Sequence, residues 1–492
     1  MRISLLSIQS RYSGLPNLGL LSIAAVLEQA GHNVQVLDPK PGHEREAVKA
    51  AAEYDPRIVG LSFMTAGYSN ARNAVLELRR ILPRALLCCG GPHTTALPEQ
   101  TLKDFGADFV VIGEGELTML EVCNRLERKA SIDDVAGLGI MRDERFVRNR
   151  ARELIRDLDS LPLPARHLVH FEKFLQPPGM LRGYLMGRCA TIMASRGCPH
   201  ECIYCASKVM FGRTVRQRSV ENVIAEVDHL VEQYRILGLW FPDDTFTLNR
   251  RWVLEFCVAL RERHPQLVWG AQARVNSVDH ELLHEMRRAG CVQLDFGVES
   301  GSQEVLAALK KKARPAQAIE AFALCRKVGI RPLATFMIGN PGEGREEIKE
   351  SMKLAKRLHA NHVQFCIATP LPGTELLEMA IRNNWLDGPL DFSRDWDVRK
   401  SRQPVMAIHF SPHELLRIQA RLQNRFLLPN YAGYLKDARF LWKLLSSVAR
   451  YPDVFAGGIA LFLRTGKLNA LVEGVFQSYE HAVWEGSHAS GD

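Results

Sequence analysis

Ser195-Arg196-Gly197-Cys198-Pro199-His200-Glu201-Cys202-Ile203-Tyr204-Cys205 follows a short apolar run at residues 190–195 and spaces three cysteines as C-x3-C-x2-C. A tight turn carrying three thiolates can wrap one corner of an iron–sulfur cube, whereas an ordinary electron-transfer cluster takes four cysteines. Three ligands leave one iron of a 4Fe-4S cluster open, and an open coordination position is where metal chemistry takes place. Two plainer readings are three unrelated structural cysteines and half of a zinc site. Zinc sites favour paired C-x2-C or C-x2-C/H-x3-H arrangements, and the sequence has no second matching pair.

Working outward, apolar runs at 190–195, 239–241, 269–273, 292–298, 333–338 and 363–369 alternate with helical patterns such as 220–234 and 280–288. Six strand–helix units predict a (β/α)6 partial barrel with its chemistry at the C-terminal strand ends, and the cysteine loop follows the first strand. Upstream, apolar runs at 1–8, 34–37, 58–63, 85–89 and 109–112, with helices at 18–29 and 69–82, predict a doubly wound, Rossmann-like parallel sheet. Ligands of such sheets lie beyond the carboxyl ends of the strands. The turns Gly90-Gly91-Pro92-His93 and Gly113-Glu114-Gly115-Glu116 fall there. Leu161-Pro162-Leu163-Pro164 interrupts regular structure, since each proline lacks a backbone donor and restricts its predecessor. The α/β chain therefore divides into a sheet domain at 1–150, a linker at 151–185, a barrel at 186–400 and a helical C-terminal segment at 401–492.

The composition, 46% hydrophobic and 24% charged over 492 residues, is that of a globular protein. No stretch approaches the roughly 18 apolar residues of a spanning helix, and the N-terminus reads as a buried strand rather than a signal peptide. Eleven cysteines without a secretory signal indicate a reducing, cytoplasmic setting. The net charge of +8 is concentrated late in the chain. Arg417, Arg421, Arg425, Lys436, Arg439, Lys443, Arg450, Arg464 and Lys467 face only Glu414, Asp437 and Asp453. Phe426-Leu427-Leu428, Phe440-Leu441-Trp442 and Phe462-Leu463 interleave with them. That pattern suits helices lying on an anionic membrane at its inner face or receiving an apolar substrate, and equally a helical cap on the barrel with a solvated basic face. No nucleic-acid reading motif accompanies the charge.

The cysteine spacing resembles the signature of the radical S-adenosylmethionine enzymes. Residues 1–400 together resemble their cobalamin-binding branch, which includes the anaerobic magnesium-protoporphyrin monomethyl ester cyclase and the hopanoid methylases. The resemblance implies that Cys198, Cys202 and Cys205 hold the cluster and that its open iron chelates the amino and carboxylate groups of S-adenosylmethionine. Tyr204 takes the family's adenine-facing position, and Asp243, in Pro242-Asp243-Asp244-Thr245-Phe246, lies near the cofactor's amino group. Arg274 suits its carboxylate. Glu299 and Ser300, in Gly297-Val298-Glu299-Ser300-Gly301, fall in the ribose-contacting region. A helix cap for the aspartates and a structural ion pair for Arg274 remain open. Ile338-Gly339-Asn340-Pro341-Gly342-Glu343 resembles the turn that shapes the pocket.

For cobalamin, the resemblance implies contacts from Asn17, Gly19, Ser62, Thr65, Gly90, Gly91, His93, Gly113, Glu114, Gly115 and Glu116. The D-x-H-x-x-G motif that supplies histidine to cobalt is absent, so His93 is expected to pack along the cofactor or its tail. The implied activity is methylation of an unactivated carbon of a hydrophobic or natural-product substrate through a 5′-deoxyadenosyl radical and methylcobalamin, with electrons from a donor such as ferredoxin or flavodoxin. An oxidative cyclase is the rival within the branch. A non-catalytic redox or cobalamin-binding module is the alternative outside it, opposed by the three-ligand count.

Overall fold

The computed structural model describes residues 1–9, 15–175, 188–394, 396–397, 403–431, 442, 445–446, 448–450 and 452–465. Strand β1 (Arg2–Ile8) is flanked in parallel by β2 (Asn33–Leu37) and β3 (Ile58–Phe63). Strands β4 (Leu86–Gly90) and β5 (Phe109–Val111) continue the parallel run. Ile3 and Leu5 pack with helix Leu18–Gln29 on one face of the sheet. Leu6 and Ile8 pack with helices Glu44–Tyr54 and Tyr68–Ile81 on the other. Cover on both faces explains why these strands read as continuous apolar runs.

Several elements were not predicted, among them a helix and a hairpin of the first sheet domain. Helix Glu44–Tyr54 buries only Ala47, Val48 and Ala51, an apolar stripe too slight to stand out. The sheet also ends in an antiparallel hairpin, β6 (Leu138–Arg142) and β7 (Arg145–Arg148). Its turn residues Asp143 and Glu144 have φ of 49° and 60°. That is type I′ geometry, for which Asn-Gly or Asp-Gly is the usual sequence signal, and neither is present.

In chain order, a separate two-stranded antiparallel ribbon, β9 (Ser195–Arg196) with β10 (Arg216–Gln217), falls between the first two strands of the second sheet. That sheet comprises β8 (Cys189–Thr191), β11 (Gly238–Phe241), β12 (Val268–Ala273), β13 (Cys291–Glu299), β14 (Arg331–Ile338) and β15 (His362–Ile367). All five pairings are parallel, in the order β15-β14-β13-β12-β11-β8. This is the predicted six-stranded partial barrel. Leu239, Phe241, Trp269, Ala271, Leu294, Phe296, Phe336 and Phe365 point outward into one helix-covered core. Strand alternation sends Gln272, Asp295, Thr335 and Gln364 to the inner face, where each is half-buried.

The edge of β15 is closed by side chains. From helix Pro412–Arg425, Gln423 Oε1 accepts from Phe365 N at 3.1 Å and its Nε2 donates to Val363 O at 3.1 Å. Asn430 Oδ1 accepts from Val363 N at 2.8 Å. These amides stand in for a neighbouring strand and leave the edge no free ladder. The linker is anchored behind the barrel by Arg166, which donates to Glu226 and to Thr191 O, while Arg218 donates to the other oxygen of Glu226. Among the described residues, no helix is long and apolar enough to cross a membrane. Lys436, Asp437, Arg439, Phe440, Leu441, Lys443 and Lys467 lie outside the described residues.

Candidate active site at the strand ends

The β9–β10 ribbon is the root of the cysteine loop. Gly197 sits at φ 93°, and a Cβ there would lie 2.4 Å from Thr214 O, so the turn into Cys198 requires glycine. Cys205 N donates to Cys202 O at 3.2 Å, a tight turn between the second and third cysteines. Cys202 is buried, while Cys198 and Cys205 are half-buried. Burial pushes the Cys205 thiol up to about 11 and raises that of Cys198. Thiolates there call for nearby positive charge, and Arg274 Nη1 lies 3.7 Å from Cys202 Sγ. Among the described residues, no three His, Cys, Asp or Glu side chains converge on a single-ion site. Three thiols that grip separate corners of a cube have no need to converge so closely.

Beside the loop, half-buried Tyr204 joins buried Glu299 and Lys311 in one group. Tyr204 Oη donates to Glu299 Oε1 at 2.9 Å, and Lys311 Nζ donates to the same oxygen at 2.8 Å. A Cβ on Gly297 would lie 2.4 Å from Glu299 Oε1, so this glycine makes room for the pair. Glu299 holds φ 66°, which turns its side chain back over the strand end. Arg274 donates to Lys311 O, tying the lysine to the cysteine side. Lys311 was not among the predicted site residues. It is the middle of Lys310-Lys311-Lys312, whose outer two members pair with Glu375 and Glu201 at the surface.

The remaining predicted residues of the barrel are placed differently. Asp243 lies beneath the loop, where its carboxylate accepts from Ser195 Oγ at 2.6 Å and Ala194 N at 3.2 Å. Burial pushes its carboxyl up to about 6. Asp244 accepts from Ser207 just past the third cysteine. Ser300 faces away from this group, with its Oγ 3.2 Å from Ser351 Oγ on helix Arg345–Leu358. In the turn after β14, Glu343 accepts from Asn340 N and Nδ2 at 3.1 and 3.0 Å.

On the first sheet the predicted residues gather at the C-terminal ends of β1, β3, β4 and β5. Asn17 caps helix Leu18–Gln29 by accepting from Leu20 N, and its Nδ2 lies 3.4 Å from Ser7 Oγ; Gly19 lies in that helix. Ser62 is the next-to-last residue of β3, and a Cβ on Gly91 would lie 2.7 Å from its Oγ. His93 Nδ1 is 3.1 Å from Thr65 Oγ1, and its ring is enclosed by Phe63, Tyr68 and Phe392. Burial lowers the His93 imidazole to about 4, which keeps it neutral. Gly90 ends β4 and Gly113 N donates to Thr95 Oγ1 at 3.0 Å. Gly115 precedes helix Glu116–Glu127. The Glu114 and Glu116 carboxylates are engaged by Arg196 and Arg216 of the ribbon, a pairing the sequence reading missed.

Both donor sets fit the groups expected of them. The cysteine loop offers three thiols and a guanidinium. At the first sheet, the glycine turns at the strand ends leave backbone free of side-chain bulk. A Cβ on Gly113 would meet nothing within 4 Å, so the backbone there is open to close approach.

Comparison with known proteins agrees with this geometry. Residues 6–123 match the B12 binding domain and residues 192–355 the radical SAM superfamily. An uncharacterised methyltransferase of Pyrococcus horikoshii is 32% identical over 417 residues, spanning 84% of this chain and 88% of the relative. An anaerobic magnesium-protoporphyrin IX monomethyl ester cyclase of Synechocystis is 27% identical over 443 residues, 88% of this chain and 83% of the relative. The cobalamin-dependent S-adenosylmethionine radical enzyme OxsB, solved with aqua-cobalamin and S-adenosylmethionine, superposes with TM-score 0.71 at 16% identity. It covers 100% of this chain and 80% of its own. A sheet domain that binds a corrinoid, joined to a barrel that binds a cluster, defines a two-cofactor radical enzyme. The chain belongs to the cobalamin-dependent radical S-adenosylmethionine enzymes, and its cofactors are cobalamin, a 4Fe-4S cluster and S-adenosylmethionine.

Proposed function

We propose that the protein methylates a carbon of a small-molecule substrate held in the barrel lumen. The observation that carries this reading is the joining of two strand-end sites: the Gly113–Glu116 turn of one sheet is ion-paired to the root of the cysteine loop of the other. When bound, the cofactors supply radical initiation and a transferable methyl group. The chain's own residues bind, orient and shield. Cys198, Cys202 and Cys205 hold the cluster, and Arg274 offsets thiolate charge. Tyr204 and Glu299 present a ring and a carboxylate to the nucleoside. Lys311 Nζ holds Glu299 in place through its 2.8 Å hydrogen bond. The Gln272, Asp295, Thr335 and Gln364 side chains line the lumen with hydrogen-bonding groups, which favours a substrate bearing polar functions over a bare hydrocarbon. Asn17, Gly19, Ser62, Thr65, Gly90, Gly91, His93 and Gly113 line the corrinoid side.

Anaerobic protein loaded with cofactors and given a reductant is expected to release 5′-deoxyadenosine; release no faster than from a cysteine-free control would overturn the reading. Lys311→Met should weaken S-adenosylmethionine binding about tenfold or more, because removing one partner of a buried charge-assisted bond costs roughly 1.5–3 kcal/mol. Calorimetric titration checks this, and parental affinity would remove Lys311 from the site.

A low-potential donor such as ferredoxin or flavodoxin fits the need for single electrons at the cluster. A second reading, peripheral contact with an anionic membrane, is favoured by Trp442, Leu445 and Leu463, which are 73%, 62% and 77% exposed. They sit among the late basic residues. Truncation after residue 431, which keeps the amides that close β15, should abolish co-sedimentation with anionic liposomes, and unchanged binding would exclude the segment.

A further inference from the structure

The Gly113-Glu114-Gly115-Glu116 turn was expected to contact cobalamin, but its two carboxylates point elsewhere. Arg196 reaches both: its Nη1 lies 2.8 Å from Glu114 Oε1 and its Nη2 lies 2.6 Å from Glu116 Oε1. Arg216, directly opposite Arg196 in the β9–β10 ribbon, places Nη1 2.8 Å from each oxygen of Glu114. The linker joins the same knot. Ile155 N donates to Glu114 Oε2 at 2.9 Å, and Ile155 O accepts from Arg216 Nη1 at 2.8 Å.

The four side chains retain only 12%, 5%, 4% and 6% of their exposure for Arg196, Glu114, Glu116 and Arg216. Two acids against two bases leave no net charge, so the group is compensated despite its burial. Each residue lies beside a cofactor-holding turn: Glu114 and Glu116 within the last glycine turn of the corrinoid sheet, and Arg196 two positions before Cys198. A buried pair broken on one side leaves an uncompensated charge on the other. The knot therefore resists both sliding and separation of the two domains. Methyl transfer depends on reacting groups held to within about an ångström, because a misplacement of that size costs about a hundredfold in rate.

We propose that Glu114, Glu116, Arg196 and Arg216 are positioning residues: a buried interdomain clasp that sets the separation between the corrinoid and the iron–sulfur cluster. The proposal rests on the two-cofactor reading above and assigns to the clasp the geometry that this reading needs. It gives Glu114 and Glu116 a role toward the barrel rather than as cofactor contacts.

Two measurements on the full chain test it. In the cofactor-free protein, Glu114→Ala should raise hydrogen exchange at the Ile155 amide and across residues 195–217 at least about tenfold, as expected when a local opening becomes easier. In the loaded protein, electron paramagnetic resonance with cob(II)alamin and the reduced cluster reads their separation directly. The parent should give one narrow distance, and Glu114→Gln/Glu116→Gln a broadened or lengthened one at unchanged cobalamin and iron content. Should the double variant fail to fold, Glu116→Gln alone, which removes one of Arg196's two partners, carries the same expectation. Parental exchange and parental distance in the variants would overturn the clasp. A parent with no corrinoid–cluster coupling overturns the two-cofactor reading instead, and the exchange experiment then still decides the clasp.

Discussion

Cys202→Ser is expected to give a folded protein that takes up cobalamin, holds no intact 4Fe-4S cluster and releases no 5′-deoxyadenosine. Cys202 is the most enclosed of the three loop cysteines, with the Arg274 guanidinium aimed at its sulfur. Serine keeps the size, so the loop's packing survives and the loss is confined to the ligand. A hydroxyl does not ionise at neutral pH as a thiol does beside a cation, and cluster irons are held by thiolates. With initiation gone, the loss should reach at least about a millionfold, the lower end of enzymatic acceleration. Iron and sulfide analysis with chromatography of the reaction checks this. Cys325→Ala is the contrast, since Cys325 is buried in the outer barrel core and should keep the cluster. A Cys202→Ser protein that still forms 5′-deoxyadenosine at the parental rate would remove the loop from the mechanism.

The largest effect on stability is expected at Glu226. Its carboxylate, fully enclosed, receives Arg166 from the linker and Arg218 from the connection between β10 and helix Val220–Tyr234. Arg166 Nε and Nη1 are already buried without partners. Glu226→Gln therefore leaves two guanidinium groups facing one neutral amide, and should cost about 3–5 kcal/mol of unfolding free energy. Denaturant melts measure it; a change under 1 kcal/mol, read against the usual surface-substitution scale of about 0.5, would contradict it. The pH dependence has a definite sign. Burial alone would raise the Glu226 carboxyl, but the two arginines outweigh it and hold the group below the ordinary 4.5. The stabilisation is then complete above 4.5 and is lost as pH falls through the lower folded value, so the parent and Glu226→Gln should converge in strongly acidic solution.

What could be read from the sequence divides along a physical line. The six barrel strands and the five parallel strands of the first sheet are largely apolar, largely buried runs, and such runs are visible residue by residue. The cysteine loop declares itself by spacing, because three thiols within eight residues form a purely local pattern. Interactions set by distant chain segments left no such trace. Lys311 is hidden in a triple lysine that reads as a solvated run, and only its neighbours' left-handed backbone, φ 52° at both Lys310 and Lys312, turns it inward. Gln419, Gln423 and Asn430 look like the polar face of a helix, yet they close the edge of β15. Glu114 pairs across more than 80 positions with Arg196, which no local periodicity records. One signal was present: Arg196 and Arg216 flank the cysteine loop on both sides, and glutamates alternate with glycines in the turn that meets them.

The most direct test of the central claim follows the methyl group. Anaerobic holoprotein supplied with S-adenosylmethionine labelled at its methyl carbon, a reductant and a cognate substrate found by extract fractionation should give a labelled product. S-adenosylhomocysteine and 5′-deoxyadenosine should accompany it. Consumption of that substrate with 5′-deoxyadenosine formed, but with neither labelled product nor S-adenosylhomocysteine, would contradict methylation and point to an oxidative cyclisation in the same barrel.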